Sequence, residues 1–115
     1  MQKFTLDAEN KKVGRVASEA AKLLMGKQTT SFVRNVAPDI HVEIINAAKA
    51  DVPLKRRATV LKARASGYPS GMKIETVEQV INKKGMGELF HKAVSGMLPR
   101  NKLRSIMIKN LKITE

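Results

Sequence analysis

Apolar residues recur at three- and four-residue intervals between positions 13 and 24. Val13, Val16, Ala17, Ala20 and Leu24 fall on one side, and Arg15, Ser18, Glu19 and Lys22 on the other. That spacing predicts an amphipathic helix. Gly26, following Met25, suits the left-handed position that closes such a helix. Upstream, Phe4-Thr5-Leu6 predicts a short strand ended by the turn-prone Asp7-Ala8-Glu9-Asn10. Downstream, His41-Val42-Glu43-Ile44-Ile45-Asn46 is β-branched and bounded by Pro38-Asp39, which predicts a second strand. Strand, helix and strand in this order predict a right-handed βαβ unit with parallel pairing.

The second half is less regular. Residues 59–65 (TVLKARA) carry a weaker strand signal, followed by the turn-rich SGYPSGMK from Ser66 to Lys73. Thr76-Val77-Glu78-Gln79 has the spacing of a capping box, with Val80 and Ile81 turning inward and Gly85 ending the helix. Leu89, Phe90, Ala93, Val94 and Met97 form another apolar stripe, and Leu103, Ile106 and Met107 a third that stops near Asn110. Leu111-Lys112-Ile113-Thr114 then predicts a last strand. No repeat, flexible linker or low-complexity tail interrupts the chain. The pattern predicts a small open α/β sheet covered by helices, with Phe4, Phe32 and Phe90 in the core and Met72, Met86, Met97 and Met107 filling it.

Composition sharpens this picture. A chain of 115 residues with 43% hydrophobic residues and a mean hydropathy of -0.25 suits one globular domain spanning residues 1–115. Its net charge of +12 and pI near 10.3 are extreme for that size and call for a polyanionic partner: nucleic acid, an anionic membrane surface or an acidic protein. The charge is uneven: residues 1–50 hold 8 basic and 5 acidic groups, whereas residues 51–115 hold 14 and 5. The partner-facing chemistry is therefore expected in the second half. Cysteine is absent, which removes disulfides, thiolate metal sites and cysteine nucleophiles. The N-terminus MQKFTLDAEN lacks an apolar core of signal-peptide length, and no apolar run nears the ~20 residues that span a bilayer, so a soluble, cytoplasmic protein is expected.

Two segments carry cations without acids. The first covers residues 52–74, with Lys55, Arg56, Arg57, Lys62, Arg64 and Lys73; the second runs from Leu89 to Thr114, with Lys92, Arg100, Lys102, Arg104, Lys109 and Lys112. An ordinary solvated face explains most charge runs, but two such segments and the total charge favour a polyanion-binding surface. Tyr68 stands between Arg64 and Lys73, placed either to stack on an exposed base or to pack on its own turn. Aromatics make up only 3% of the chain, which argues against a stacking platform for single strands and for phosphate and shape recognition of folded RNA. Lys11, Lys12 and Arg15 open the first helix, where free amides can hold a phosphate. Gly14 stands alone rather than in a nucleotide-binding fingerprint. His41 and His91 have no partners at metal-ligand spacing, and Asp7, Asp39 and Glu43 form no evident acid–base pair. No catalytic residue, metal site or cofactor is expected.

The order VGRVASEAAKLLMGK, PDIHVEIINAAK, SGYPSGMK and ELFHKAVSGMLPRNKLRSIMIKNLKI resembles the large-subunit ribosomal protein L-thirteen family over nearly the whole chain. The resemblance implies a three-layer α/β/α fold around a mostly parallel four-stranded sheet. It also implies a structural role: packing on large-subunit ribosomal RNA during assembly, beside neighbouring ribosomal proteins, with no membrane and no small-molecule substrate. It carries over Arg15, Tyr68, Lys73, Arg100, Asn101, Lys102 and Arg104 as RNA contacts. Lys55, Arg56, Arg57, Lys62 and Arg64 join them from the charge argument alone. Bacterial members of that family begin upstream of the Phe4 strand and continue past the last one, so the chain reads as a trimmed member. Val52-Pro53-Leu54-Lys55 replaces the family's Thr-Gly-x-Lys turn, and Val60-Leu61 an aromatic pair. Two other readings share the basic surface: an RNA-modifying or RNA-processing enzyme, which needs a cofactor crevice or acid–base pair, and a free regulator of messenger RNA.

Overall fold

A computed structural model describes all 115 residues. In chain order the elements are β1 (Gln2–Asp7), α1 (Val13–Leu24), β2 (Ile40–Ile45), α2 (Leu54–Arg57), β3 (Val60–Ala65), β4 (Met72–Thr76), α3 (Val77–Lys84), α4 (Met86–Met97), α5 (Arg104–Lys109) and β5 (Leu111–Ile113), with a 3-10 turn at Ala47–Lys49. The first βαβ unit is present as the periodicity predicts: β1 pairs parallel with β2, Phe4 opposite Val42 and Leu6 opposite Ile44. β5 adds on the far side of β2, also parallel, with Leu111 opposite Val42 and Ile113 opposite Ile44.

These registers put Phe4, Leu6, Val42, Ile44, Leu111 and Ile113 on one face of the sheet, and α1 and α4 pack against it. α1 contributes mostly small side chains, Ala17, Ala20 and Ala21, so α4 can approach closely and fill the space with Phe90 and Val94, both fully buried. Leu24, Val42 and Ile44 complete the centre of the core. Gly26 takes φ +73 after the helix, where a side chain is strained, and a Cβ there would stand 3.1 Å from the Pro38 ring. Thr76 and Gln79 form the expected capping box: the Gln79 N–H donates to Thr76 Oγ1 at 3.4 Å, and the Thr76 N–H to Gln79 Oε1 at 3.0 Å.

The sheet differs from the four-stranded, mostly parallel one that the family resemblance implies. It has three parallel strands in the order β1-β2-β5, while β3 and β4 form a separate two-stranded antiparallel ribbon. The reason lies in β3 itself. Lys62 and Arg64 alternate with small residues, and a strand of a parallel sheet is ordinarily covered on both faces by apolar layers. The Gly67–Gly71 turn folds β3 back onto β4 instead, and the Gly71 N–H donates to the Tyr68 carbonyl at 3.0 Å. The second helical layer is also missing. The other face of the parallel sheet carries Lys3, Thr5, Asp7, His41, Glu43 and Lys112, all exposed or half-exposed. Lys112 Nζ lies 2.9 Å from Glu43, whose carboxyl it holds below its ordinary pKa.

Several apolar residues are less buried than their chemistry predicts. Phe32, Met72, Met97 and Ile106 are exposed, because they lie on a loop, the ribbon, the last turn of α4 and the outer side of α5, where no layer stands behind them. α5 is held instead through Leu103, Met107 and Ile108. Gly96-Met97-Leu98-Pro99 reads in sequence as a turn, but Gly96 and Met97 still belong to α4, so the turn begins only at Leu98.

Candidate nucleic-acid interface

The basic residues gather in three places. Arg15, in the first turn of α1, and Arg56, in α2, line a cavity of about 470 Å³ with Lys12, Gly14, Asp51, Pro53 and the apolar Leu61 and Leu89. The cavity opens beside the start of α1, which follows the carboxyl end of β1, where ligands bind in open α/β sheets. Lys55 and Arg57 flank it on α2, exposed, and Arg57 Nε donates to the Val52 carbonyl at 3.3 Å.

The second place is the ribbon. Arg64 stands directly opposite Lys73 in the antiparallel register, and Tyr68, 80% exposed, sits at the tip. Like charges opposite one another weaken a strand pair, and an isolated two-stranded ribbon is only marginally stable. Tyr68 does not pack on its own turn; its ring is free to meet a partner.

The third place follows α4. Lys92, Ser95, Gly96, Arg100 and Arg104 line a depression of about 410 Å³ with no apolar wall. Lys102 is exposed on the adjoining turn. Asn101 has a local job: its Oδ1 accepts the Arg104 N–H at 3.2 Å and so caps the start of α5. Lys92, named in sequence only as part of its acid-free segment, and Lys12, named at the opening of α1, also line these surfaces. Lys92 is four residues before Gly96, a spacing that puts both on one helix face.

Lys62 is set apart from the other candidate cations. Its ammonium lies 3.0 Å from Glu88, with only 20% of its side chain exposed, and pins the base of the ribbon to α4. The hydrogen bond from Lys62 holds the Glu88 carboxyl below its ordinary pKa. Because the folded-state pKa is the lower one, the stabilisation is complete above the unfolded carboxyl pKa and is lost as pH falls through the folded value. Glu88→Gln is therefore expected to lower the melting temperature at about pH 7, by an amount that shrinks as pH falls below the ordinary carboxyl range. A deficit that keeps its size on acidification, read by circular dichroism, would contradict this origin.

The distribution of ion pairs separates this surface from a merely solvated one. Lys49, Lys62, Lys83 and Lys112 are the only basic side chains, apart from His41, near a carboxylate; none of the seven arginines is. Arginine is the side chain best shaped for bidentate pairing with carboxylate or phosphate. Ten acidic residues are available, yet every guanidinium is left without one. Asp7, Asp39 and Glu43 are spread over both ends and the middle of the sheet, and no three His, Asp or Glu residues cluster as metal ligands.

The chain matches the family described as Ribosomal protein L13 over residues 1–115. It is similar to the Large ribosomal subunit protein uL13 of Natranaerobius thermophilus, 41% identical over 110 residues that cover 96% of this chain and 76% of that one. The protein of that name from Pelotomaculum thermopropionicum is 42% identical, with the same two coverages. The similarity extends to a protein named uL13c in Gracilaria tenuistipitata, 34% identical over 96% of this chain.

Proposed function

Because the chain belongs to the ribosomal protein L13 family, we propose that its basic surface binds and stabilises large-subunit ribosomal RNA during assembly, and that residues 1–115 work as one ribosomal-protein domain. The protein is a non-catalytic constituent of the large ribosomal subunit. The observation that carries the RNA reading is the set of unpaired arginines, all but Arg34 arranged around two cavities and a ribbon. Uncompensated guanidinium groups repel one another and are stabilised when phosphates approach them.

Arg15, Lys55, Arg56 and Arg57 meet RNA at the end of the parallel sheet. Arg64, Tyr68 and Lys73 meet it along the ribbon, where the Tyr68 ring offers one stacking surface. Arg100, Lys102 and Arg104 meet it beyond α4. Lys62 and Asn101 serve the same surface indirectly, one by fixing the ribbon and the other by fixing the start of α5. Neighbouring large-subunit proteins lie against the faces left free of RNA.

Tagged protein expressed in its own cells should sediment with the large subunit at low salt and leave it as salt is raised. Recovery of the tagged chain in the ribosome-free fraction after gentle low-salt lysis is the result that would sink this reading.

A further inference from the structure

Three glycines lie inside helices: Gly14 in α1, and Gly87 and Gly96 in α4. Gly87 has an internal reason, since a Cβ there would stand 3.4 Å from the Glu115 carboxylate and 3.7 Å from Ile113. Gly14 opens onto space in the first turn of α1, beside a cavity that also holds Asp51 and an apolar wall. Gly96 has no such neighbours. It lies in the last turn of α4, yet with ordinary helical backbone rather than the left-handed conformation that favours glycine at a helix end, and a Cβ on it would meet no atom within 4 Å. Glycine weakens a helix relative to alanine, and nothing inside the molecule asks for it there. The missing side chain therefore matters to something outside.

The surroundings say what that is. Lys92, Ser95 and Gly96 share one face of α4 by their spacing, and Arg100 and Arg104 close the depression from the turn and from α5. None of these three cations has a carboxylate partner. No apolar residue lines the depression, whereas the centre of a protein–protein contact is ordinarily apolar. We infer that Gly96 is a close-approach point for an RNA phosphodiester backbone. The strand crosses the bare Cα, with its phosphates held by Arg100, Arg104 and Lys92 and reached by the Ser95 hydroxyl. The inference rests on the ribosomal reading and deepens it. It assigns this depression to backbone rather than to base edges, and makes Gly96 the residue that sets the approach distance.

The test is a competition in cells between tagged variants and untagged parent for places in the large subunit. Gly96→Gln adds length without charge in a position the helix accepts. The free variant should melt at or above the parent's temperature, while its share of large subunits falls at least fivefold. Gly96→Ala, which adds one methyl group, should show a smaller fall. A parental share for Gly96→Gln overturns the inference, whereas exclusion of the tagged parent itself would instead sink the ribosomal reading. The occupant is identified separately. The chain has no cysteine, so Ser105→Cys, just outside the depression, gives one attachment point for an iron chelate. Strand breaks in the ribosomal RNA of assembled subunits are expected beside it. Cleavage confined to a neighbouring protein, with the RNA intact, would overturn the assignment to RNA.

Discussion

Phe90→Ala is expected to lower the stability of the free protein by about 3–5 kcal/mol, the usual cost of emptying a buried phenylalanine site. Phe90 is completely buried, whereas Phe32 is exposed and Phe4 only partly covered. The helix facing it offers Ala17, Ala20 and Ala21, none long enough to reach into the space left behind. A total stability of ~5–15 kcal/mol is typical of small domains, so this one change removes a large share of it. The midpoint of thermal unfolding should fall by roughly 15 °C or more, given ~4–8 °C per kcal/mol for a domain of this size. Alanine's better helix propensity returns only a few tenths of a kcal/mol. A midpoint within a few degrees of the parent, measured by calorimetry, would show that α1 and α4 can close over the gap and that the core is not organised around this ring.

The same residues show how far the sequence alone reaches. Helical spacing in residues 13–24, the β-branched run at 41–46 and the Thr76–Gln79 capping box each lead to the element observed, because each element buries one regular face. β4 escapes recognition for the opposite reason. Met72 and Ile74 alternate with Lys73 and Glu75, but the strand is exposed on both faces over most of its length, so no core imposes a pattern on it. The four-stranded sheet is an inference from resemblance, and the charges of β3 overrule it. Exposure of Met97 and Ile106 is equally invisible, since apolar chemistry does not reveal whether another layer covers a position.

For the interface, the acid-free segments name cations that the fold gathers on α2, the ribbon and the end of α4, but they cannot sort those cations from paired ones such as Lys62 and Lys112. Lys62 and Glu88 are 26 positions apart, and only the folded chain brings them to 3.0 Å. The local role of Asn101 is closer to legible, because a side chain that accepts the amide three residues on is a common capping arrangement. Gly96 reads in sequence as the start of a turn. Its helical backbone and the open space around it become apparent only in three dimensions.

The double substitution of Arg100 and Arg104 by Ala is expected to separate binding from folding most sharply. Neither guanidinium touches a carboxylate, and no hydrogen bond holds either side chain. Arg104 stands in the first turn of α5, where a cation opposes the helix dipole, so Ala costs nothing electrostatically. The cap from Asn101 reaches the backbone amide and survives the change. The melting temperature should therefore stay within the range of ordinary surface substitutions, about ±0.5 kcal/mol. Binding should behave otherwise. Charge-assisted hydrogen bonds contribute roughly 1.5–3 kcal/mol each, so losing two should weaken RNA affinity roughly hundredfold or more. The slope of log K against log salt should become shallower by about 0.7–0.9 for each phosphate left without its cation. Filter binding to deproteinised large-subunit RNA across a salt series reads both quantities from one experiment. An unchanged slope would mean that neither arginine neutralises a phosphate, even if affinity fell. A large drop in melting temperature would show that the pair belongs to the structure of α5 rather than to its outer surface. Set beside Phe90→Ala, which should lose incorporation by losing the fold, this variant should lose it with the fold intact.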